Sequence, residues 1–333
     1  MENTTKFVHG DQAEKFPEKI DFASNINPFP PRDLQEFISG MLWKVKYYPE
    51  SSYADLVEVI SDTFDWKRDE IVFGNGSIEL IRAFFMLQKG KVAIPYPTFT
   101  EYERFARGFG LTVVKCRIED LIETVKAEKP DAAVVCNPNN PTGEFFDWVE
   151  DLDRLAGKMG FKLLVDEAFI DFTRKKLSLE NAFVVRSLTK ILGIPGLRFG
   201  YGRFSEKYAK KFHSIRDPWN VNILAKEVAK KYIPRLNSIS RRVSGKIKRE
   251  RTFLEKRLKK LGFSCKGDVN FLLVRGKYDG KAVRSFLFER GILVRTCEDF
   301  EGLNEKYFRI AVKDRKSNRV LLKNLEVFVE ENP

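Results

Sequence analysis

Four short segments carry the residues able to do chemistry, and each follows an apolar run. Asn75-Gly76-Ser77 comes after IVFG, NPNNPTG (137–143) after AAVVC, Asp166-Glu167 after FKLLV, and SLTKILGIPGLRFG (187–200), with Ser187, Lys190 and Arg198, after AFVVR. Gly76 and Ser77 opening a helix would offer backbone N–H groups and a hydroxyl as a phosphate cup, although a Gly-Ser start is more often a plain cap. The prolines of NPNNPTG brace a turn that aims Asn140. Acids at the end of an apolar strand, such as Asp166, need a cation or a hydrogen-bond partner if buried. A lysine after such a strand is a snorkelling surface residue in most proteins. Taken singly, none of these segments decides anything.

The elements that must position them alternate between short apolar runs and helix-period runs. Strands are expected at 71–74, 91–95, 111–115, 132–136, 161–166, 182–186 and 197–202, with helices at 77–88, 100–109, 119–128 and 147–159. Apolar strands alternating with helices imply an α/β fold with a mainly parallel, seven-stranded sheet covered on both faces, whose sites lie beyond the carboxyl ends of the strands. A smaller C-terminal α/β unit follows, with NFLLVR (270–275), a helix near 280–290, ILVR (292–295) and YFRIAV (307–312). The expected organisation is an N-terminal arm (1–30) ending in NPFPP, a large domain (31–225), and a long helix with the small domain (226–333).

Composition sets the outer limits. The chain has 333 residues, 43% hydrophobic and 13% aromatic, which is enough for large cores and argues against disorder. Met1 to Gly10 contains no apolar signal region, and no stretch reaches the ~18 uninterrupted apolar residues of a membrane span. A soluble cytoplasmic protein without a membrane partner is expected. Cys116, Cys136, Cys265 and Cys297 are widely spaced with no CxxC, and read as buried thiols in a reducing compartment. His9 and His213 are the only histidines, too few for a His-rich metal site, and no metal is expected. The net charge of +12 is concentrated between Lys226 and Lys260, where fourteen Lys/Arg face three Glu. Ile239, Val243, Ile247, Leu254, Leu258 and Leu261 form the apolar stripe of a long helix after a break at Pro234, so the cations fall mostly on its solvated face. A nucleic-acid partner is not expected.

A phosphate cup, a second hydroxyl and an arginine beside a lysine, a carboxylate and an Asn amide are together the parts that hold pyridoxal 5'-phosphate as a Schiff base. Nearby positive charge and partial burial would make the lysine amine nucleophilic. NPNNPTG, a strand ending VDEAF, and SLTK followed by GLRFGY resemble, in order and spacing, the motif series of fold-type I pyridoxal-phosphate enzymes. The resemblance runs from the NPF arm to YFRIAV. It implies that Lys190 is the Schiff-base lysine, that Asp166 partners the pyridine nitrogen, and that Asn140 donates to the phenolic oxygen. Gly76, Ser77, Ser187 and Arg198 match phosphate-binding positions, and Phe99 in PYPTF matches the aromatic stacked on the ring. Tyr48 in YYPES resembles the tyrosine that reaches the phosphate from a second subunit, which implies a homodimer with a shared site. Arg309 matches the arginine for the substrate carboxylate, and Arg295 and Asn27 are the further substrate-binding candidates.

Two branches of these enzymes are similar to the chain. The NPF arm and YP motif suit the class I/II aminotransferases that act on histidinol phosphate. IDFASNINPFPP, LLVDEAFIDF and ILVRTCEDFEGLNEKYFRIAV resemble the threonine-phosphate decarboxylases of cobalamin biosynthesis, as does FVHGD, with HGD in place of HGG. Phe169 stands where most aminotransferases have a tyrosine bonded to the phenolic oxygen, a bond that phenylalanine cannot make.

Overall fold

The computed structural model describes residues 12–333. Strand β1 (Ile20–Asp21) is followed by helices α1 (Leu34–Met41) and α2 (Ala54–Phe64). The series then runs β2 (Ile71–Asn75), α3 (Ser77–Met86), β3 (Lys91–Tyr96), α4 (Glu101–Gly108), β4 (Thr112–Arg117), α5 (Leu121–Glu128), β5 (Ala132–Cys136), α6 (Val149–Met159) and β6 (Lys162–Asp166). It continues through β7 (Phe183–Ser187), α7 (Leu188–Leu192), β8 (Phe199–Arg203), α8 (Glu206–Ile215), α9 (Ile223–Tyr232) and α10 (Leu236–Lys260). The C-terminal unit consists of β9 (Ser264–Lys266), β10 (Phe271–Arg275), α11 (Gly280–Glu289), β11 (Ile292–Leu293), β12 (Arg295–Thr296), β13 (Tyr307–Ala311) and α12 (Arg315–Glu331).

The seven-stranded sheet has the order β2-β8-β7-β6-β5-β3-β4. Every neighbouring pair is parallel except those made by β8, which runs antiparallel to both β2 and β7. The continuous apolar strands follow from burial on both faces. In β5, Val134 joins the core that contains α3, α4 and α8 residues, while Ala133 and Val135 join the core under α5 and α6. Both faces being apolar, polar side chains are left to the strand ends.

The smaller sheet is antiparallel, in the order β12-β13-β10-β9, and the arm is tied to this unit by parallel pairing of β1 with β11. The expected strand at 292–295 is therefore two pieces, because Val294 carries the chain from the pairing with the arm to the pairing with β13. The strand expected at 197–202 begins at Phe199, since residues 195–197 form a 3-10 turn and Arg198 adopts a left-handed conformation with φ of 59°. The long helix starts after Pro234, and Ile239, Val243, Ile247, Leu254 and Leu258 are its buried stripe. The basic segment is less uniformly solvated than its sequence suggests. Lys226 is buried and pairs with Asp55 at 2.9 Å, Lys230 also pairs with Asp55, and Lys231 and Arg235 pair with Asp33. These contacts fasten the N-terminal helices to α9. Cys116, Cys136 and Cys297 are buried free thiols, whereas Cys265 is half-buried. Among the described residues, no helix is long and apolar enough to cross a membrane. His9, Gly10 and Asp11 lie outside the described residues.

One glycine fixes how the sheet meets α3. Gly200 of β8 sits opposite Gly74 of β2, and a Cβ on it would land inside the contact distance of the Ser77 amide and the Gly76 carbonyl carbon. Gly200→Ala should lower stability by about 1–3 kcal/mol in chemical denaturation; a loss below about 0.5 kcal/mol would show that the start of α3 yields freely.

Candidate active site

The loop after β5 is held by two of its three asparagines. The Asn137 side chain exchanges 2.9 Å hydrogen bonds with the Phe146 backbone, and Asn139 donates to Pro97 O and to Thr142 Oγ1. Asn140 is left for other work. Arg309, on β13, donates from Nη1 to Asn140 Oδ1 and from Nη2 to Ala23 O at 3.2 Å. With its oxygen so engaged, the Asn140 amide points N–H donors elsewhere, as a donor to a phenolic oxygen must.

Asp166 ends β6 and is only 3% exposed. Its Oδ2 accepts from the Tyr102 hydroxyl at 2.7 Å and its Oδ1 from the Ala168 N–H at 3.0 Å. Burial raises its pKa to about 6 against those two hydrogen bonds, which favour the ionised form. Tyr102 was not among the residues singled out in the sequence. It lies three positions after Phe99, and the two rings meet edge to face at 5.5 Å. Lys190 lies in α7, just beyond β7, and burial, followed by the charges of Arg309 and Arg198, lowers its pKa to about 8. Its amine is thus closer to neutral at physiological pH than an exposed lysine. Lys190 Nζ lies 6.0 Å from the centre of the Phe169 ring, where a hydroxyl would be absent.

The cup is assembled from three separate elements. Gly76, at φ of 79°, leads into α3, and a Cβ there would collide with the Arg198 guanidinium. The first turn of α3 carries backbone N–H groups without intrahelical acceptors, an arrangement suited to an anion. At the end of β7, the buried Ser187 and Thr189 hydroxyls lie 2.8 Å apart. Thr189 is a second residue that the sequence reading passed over, although the Ser-x-Thr spacing was visible.

The arm supplies the remaining wall. Asn27 donates from Nδ2 to Ile191 O at 2.5 Å, accepts at Oδ1 from the Phe29 N–H, and bonds Lys190 O through its own N–H. Its side chain therefore holds the arm to α7. Asn25, two residues earlier, is 4% exposed with Oδ1 buried and without a partner. Arg295 and Arg309 are directly opposite in the β12–β13 register. Tyr48 is 76% exposed on the surface and stacks on Trp219 at 4.5 Å, so within one chain it is not brought to Lys190.

This fold, with a buried lysine, a buried acid and an anion cup at the carboxyl ends of a doubly covered sheet, defines a fold-type I pyridoxal-phosphate enzyme. The chain belongs to the family described as aminotransferase class I and II, whose model matches residues 17–325. It is 33% identical to a protein from Caldanaerobacter subterraneus subsp. tengcongensis named "Putative threonine-phosphate decarboxylase", over 92% of this chain and 90% of that one. It is 30% identical to the histidinol-phosphate aminotransferase of Thermoanaerobacter pseudethanolicus, over 95% and 94% respectively. The fold matches that of the histidinol-phosphate aminotransferase of Sinorhizobium meliloti in complex with pyridoxal-5'-phosphate, with a TM-score of 0.88 at 19% identity, covering 99% of this chain and 96% of that one.

The residues present fit that cofactor: the cradle at Gly76 has no room for a side chain, and Ser187 and Thr189 find only each other. When bound, pyridoxal phosphate supplies an electron sink for a bond broken at a substrate Cα. Borohydride treatment of the loaded protein should fix the cofactor to Lys190, and Lys190→Ala should abolish both the label and turnover. Cofactor binding should weaken as pH falls through about 6, because protonation of Asp166 removes the anion that faces the pyridine nitrogen. Tyr102→Phe removes a hydrogen bond to the ionised carboxylate, so absorbance titrations of the apoprotein should place this midpoint at higher pH than in the wild type.

Proposed function

We propose that the protein is a pyridoxal-phosphate decarboxylase of a phosphorylated amino acid, with L-threonine O-3-phosphate as substrate and CO2 and aminopropanol phosphate as products. The observation that carries this reading is the register pair Arg295–Arg309. Like charges directly opposite on a ladder are destabilising, and two buried guanidinium forks side by side suit a molecule with a carboxylate and a phosphate on neighbouring carbons. In this reading Arg309, which also orients Asn140, takes the carboxylate, and Arg295 takes the phosphate. Asn25, buried between the Ala23 carbonyl held by Arg309 and the Asn27 anchor at α7, offers a further polar contact to the substrate. Lys190 Nζ is the group placed to return a proton to Cα after CO2 leaves.

The protein acts as a homodimer in the cytoplasm. Leu42, Trp43, Val45, Tyr47, Tyr48 and Trp219 are large exposed apolar side chains, more than a monomer surface keeps in water, and Tyr48 would reach the phosphate cup of the second subunit. The relatives named for histidinol-phosphate aminotransferase support a second reading, transamination of that phosphorylated amine. Decarboxylation and transamination differ in which Cα bond stands perpendicular to the cofactor ring, not in the catalytic groups.

Incubation with L-threonine O-3-phosphate should release CO2; brisk glutamate formation from histidinol phosphate and 2-oxoglutarate with no CO2 would replace the first reading with the second. Arg295→Ala and Arg309→Ala should each cost the decarboxylation about 2–4 kcal/mol in kcat/KM, roughly 30- to 1,000-fold, while weakening cofactor binding far less.

A further inference from the structure

The Arg295 subsite contains an acid that an anion-binding arginine does not need. Asp299 lies four residues beyond Arg295, with Oδ2 2.5 Å from Arg295 Nη2. Arg295 also donates from Nη1 to Thr296 O and lies over the Phe300 ring at 5.3 Å, so its orientation does not hang on Asp299 alone. The other oxygen, Asp299 Oδ1, is buried and without a hydrogen-bond partner. A buried carboxylate oxygen with nothing donating to it is unfavourable, and a bound donor would relieve it.

The charges around it leave Asp299 free to act on a ligand. Arg295 and Arg309 face it from β12 and β13, and Asp21 comes from the arm, its Oδ1 taking the N–H groups of Ala23 and Ser24. Cys297, between Arg295 and Asp299 in sequence, has its thiol pushed up to about 12 by burial and stays neutral. The flanking acids are engaged elsewhere: Glu298 pairs with Lys281 of α11 at 2.8 Å, and Glu301 with Lys115 of β4 at 2.7 Å. A dianionic phosphate at Arg295 would set two negative charges beside the Asp299 carboxylate. A monoanion would halve that repulsion and bring the missing donor.

We propose that Asp299 is a specificity-determining residue that makes the Arg295 subsite select the singly protonated form of a phosphate monoester, whose P–OH donates to Asp299 Oδ1 while its anionic oxygens accept from Arg295. The assignment rests on the reading that Arg295 receives a substrate phosphate. It distinguishes Asp299 from a clamp that merely holds the arginine: a clamp strengthens binding of every phosphate form, whereas this acid opposes the dianion.

The test is binding of O-phospho-L-threonine, and separately of histidinol phosphate, to the protein loaded with pyridoxal phosphate. Dissociation constants would be read from the cofactor absorbance by rapid mixing before turnover, between pH 6 and 8.5, for the wild type and Asp299→Asn. Asparagine still accepts from Arg295 but carries no charge. The ratio of the wild-type to the variant dissociation constant should rise about tenfold per pH unit above the second phosphate pKa of about 6. L-threonine, which has no phosphate, should show a flat ratio. For whichever phosphorylated ligand binds, a pH-independent ratio, or weaker binding by Asp299→Asn at every pH, overturns the assignment of Asp299 and leaves the functional reading standing. If the wild type binds neither ligand, the functional reading and this assignment fall together.

Discussion

The site depends on keeping one carboxylate and one amine out of water without letting them pair off and inactivate each other. Asp166 and Lys190 follow neighbouring strands, β6 and β7, of a sheet whose faces are covered by apolar helices. Burial pushes their pKa values towards one another, to about 6 and about 8. Two hydrogen bonds keep Asp166 from rising further, and Arg309 and Arg198 keep Lys190 from regaining its ordinary basicity. The acid and the amine are thereby available to different atoms of one ligand.

The second constraint is the junction between the two sheets. Arg309 belongs to the small sheet, yet bonds the β5 loop through Asn140 and the arm through Ala23. The Gly143 N–H bonds Asn139 O, and Gly143 O accepts from Asp268, beside β9. Burial lowers the pKa of Arg309 to about 10, with Arg295 acting in the same direction. A buried pair of like charges is tolerated here because Asn140, Ala23, Asp299 and Asp21 surround it with acceptors. The same two charges give the site its affinity for anions.

The basic segment shows how little a charge count says about partners. Its first cations hold α9 against Asp33 and Asp55, and the two acids within α10 are occupied by Arg315 and Arg251. Part of the net charge is thus structural, and the remainder lies on the outer face of α10.

Local pattern determined the strands, the helices between them, the long amphipathic helix and the order of the motifs, because hydrophobic period and turn chemistry are properties of neighbouring residues. It also identified Lys190, Asp166, Asn140 and the glycine cradle, since each sits immediately after a recognisable strand. Pairings between distant segments were decided only in three dimensions. Tyr102 meets Asp166 through the placement of α4 beside β6, the arm turns Asn27 to the backbone and leaves Asn25 with an open acceptor, and β12 is split from β11 so that Arg295 falls opposite Arg309. Tyr48 is carried to the surface rather than to the lysine of its own chain. No local signal encodes these meetings, because register and sheet order depend on which remote apolar faces bury one another.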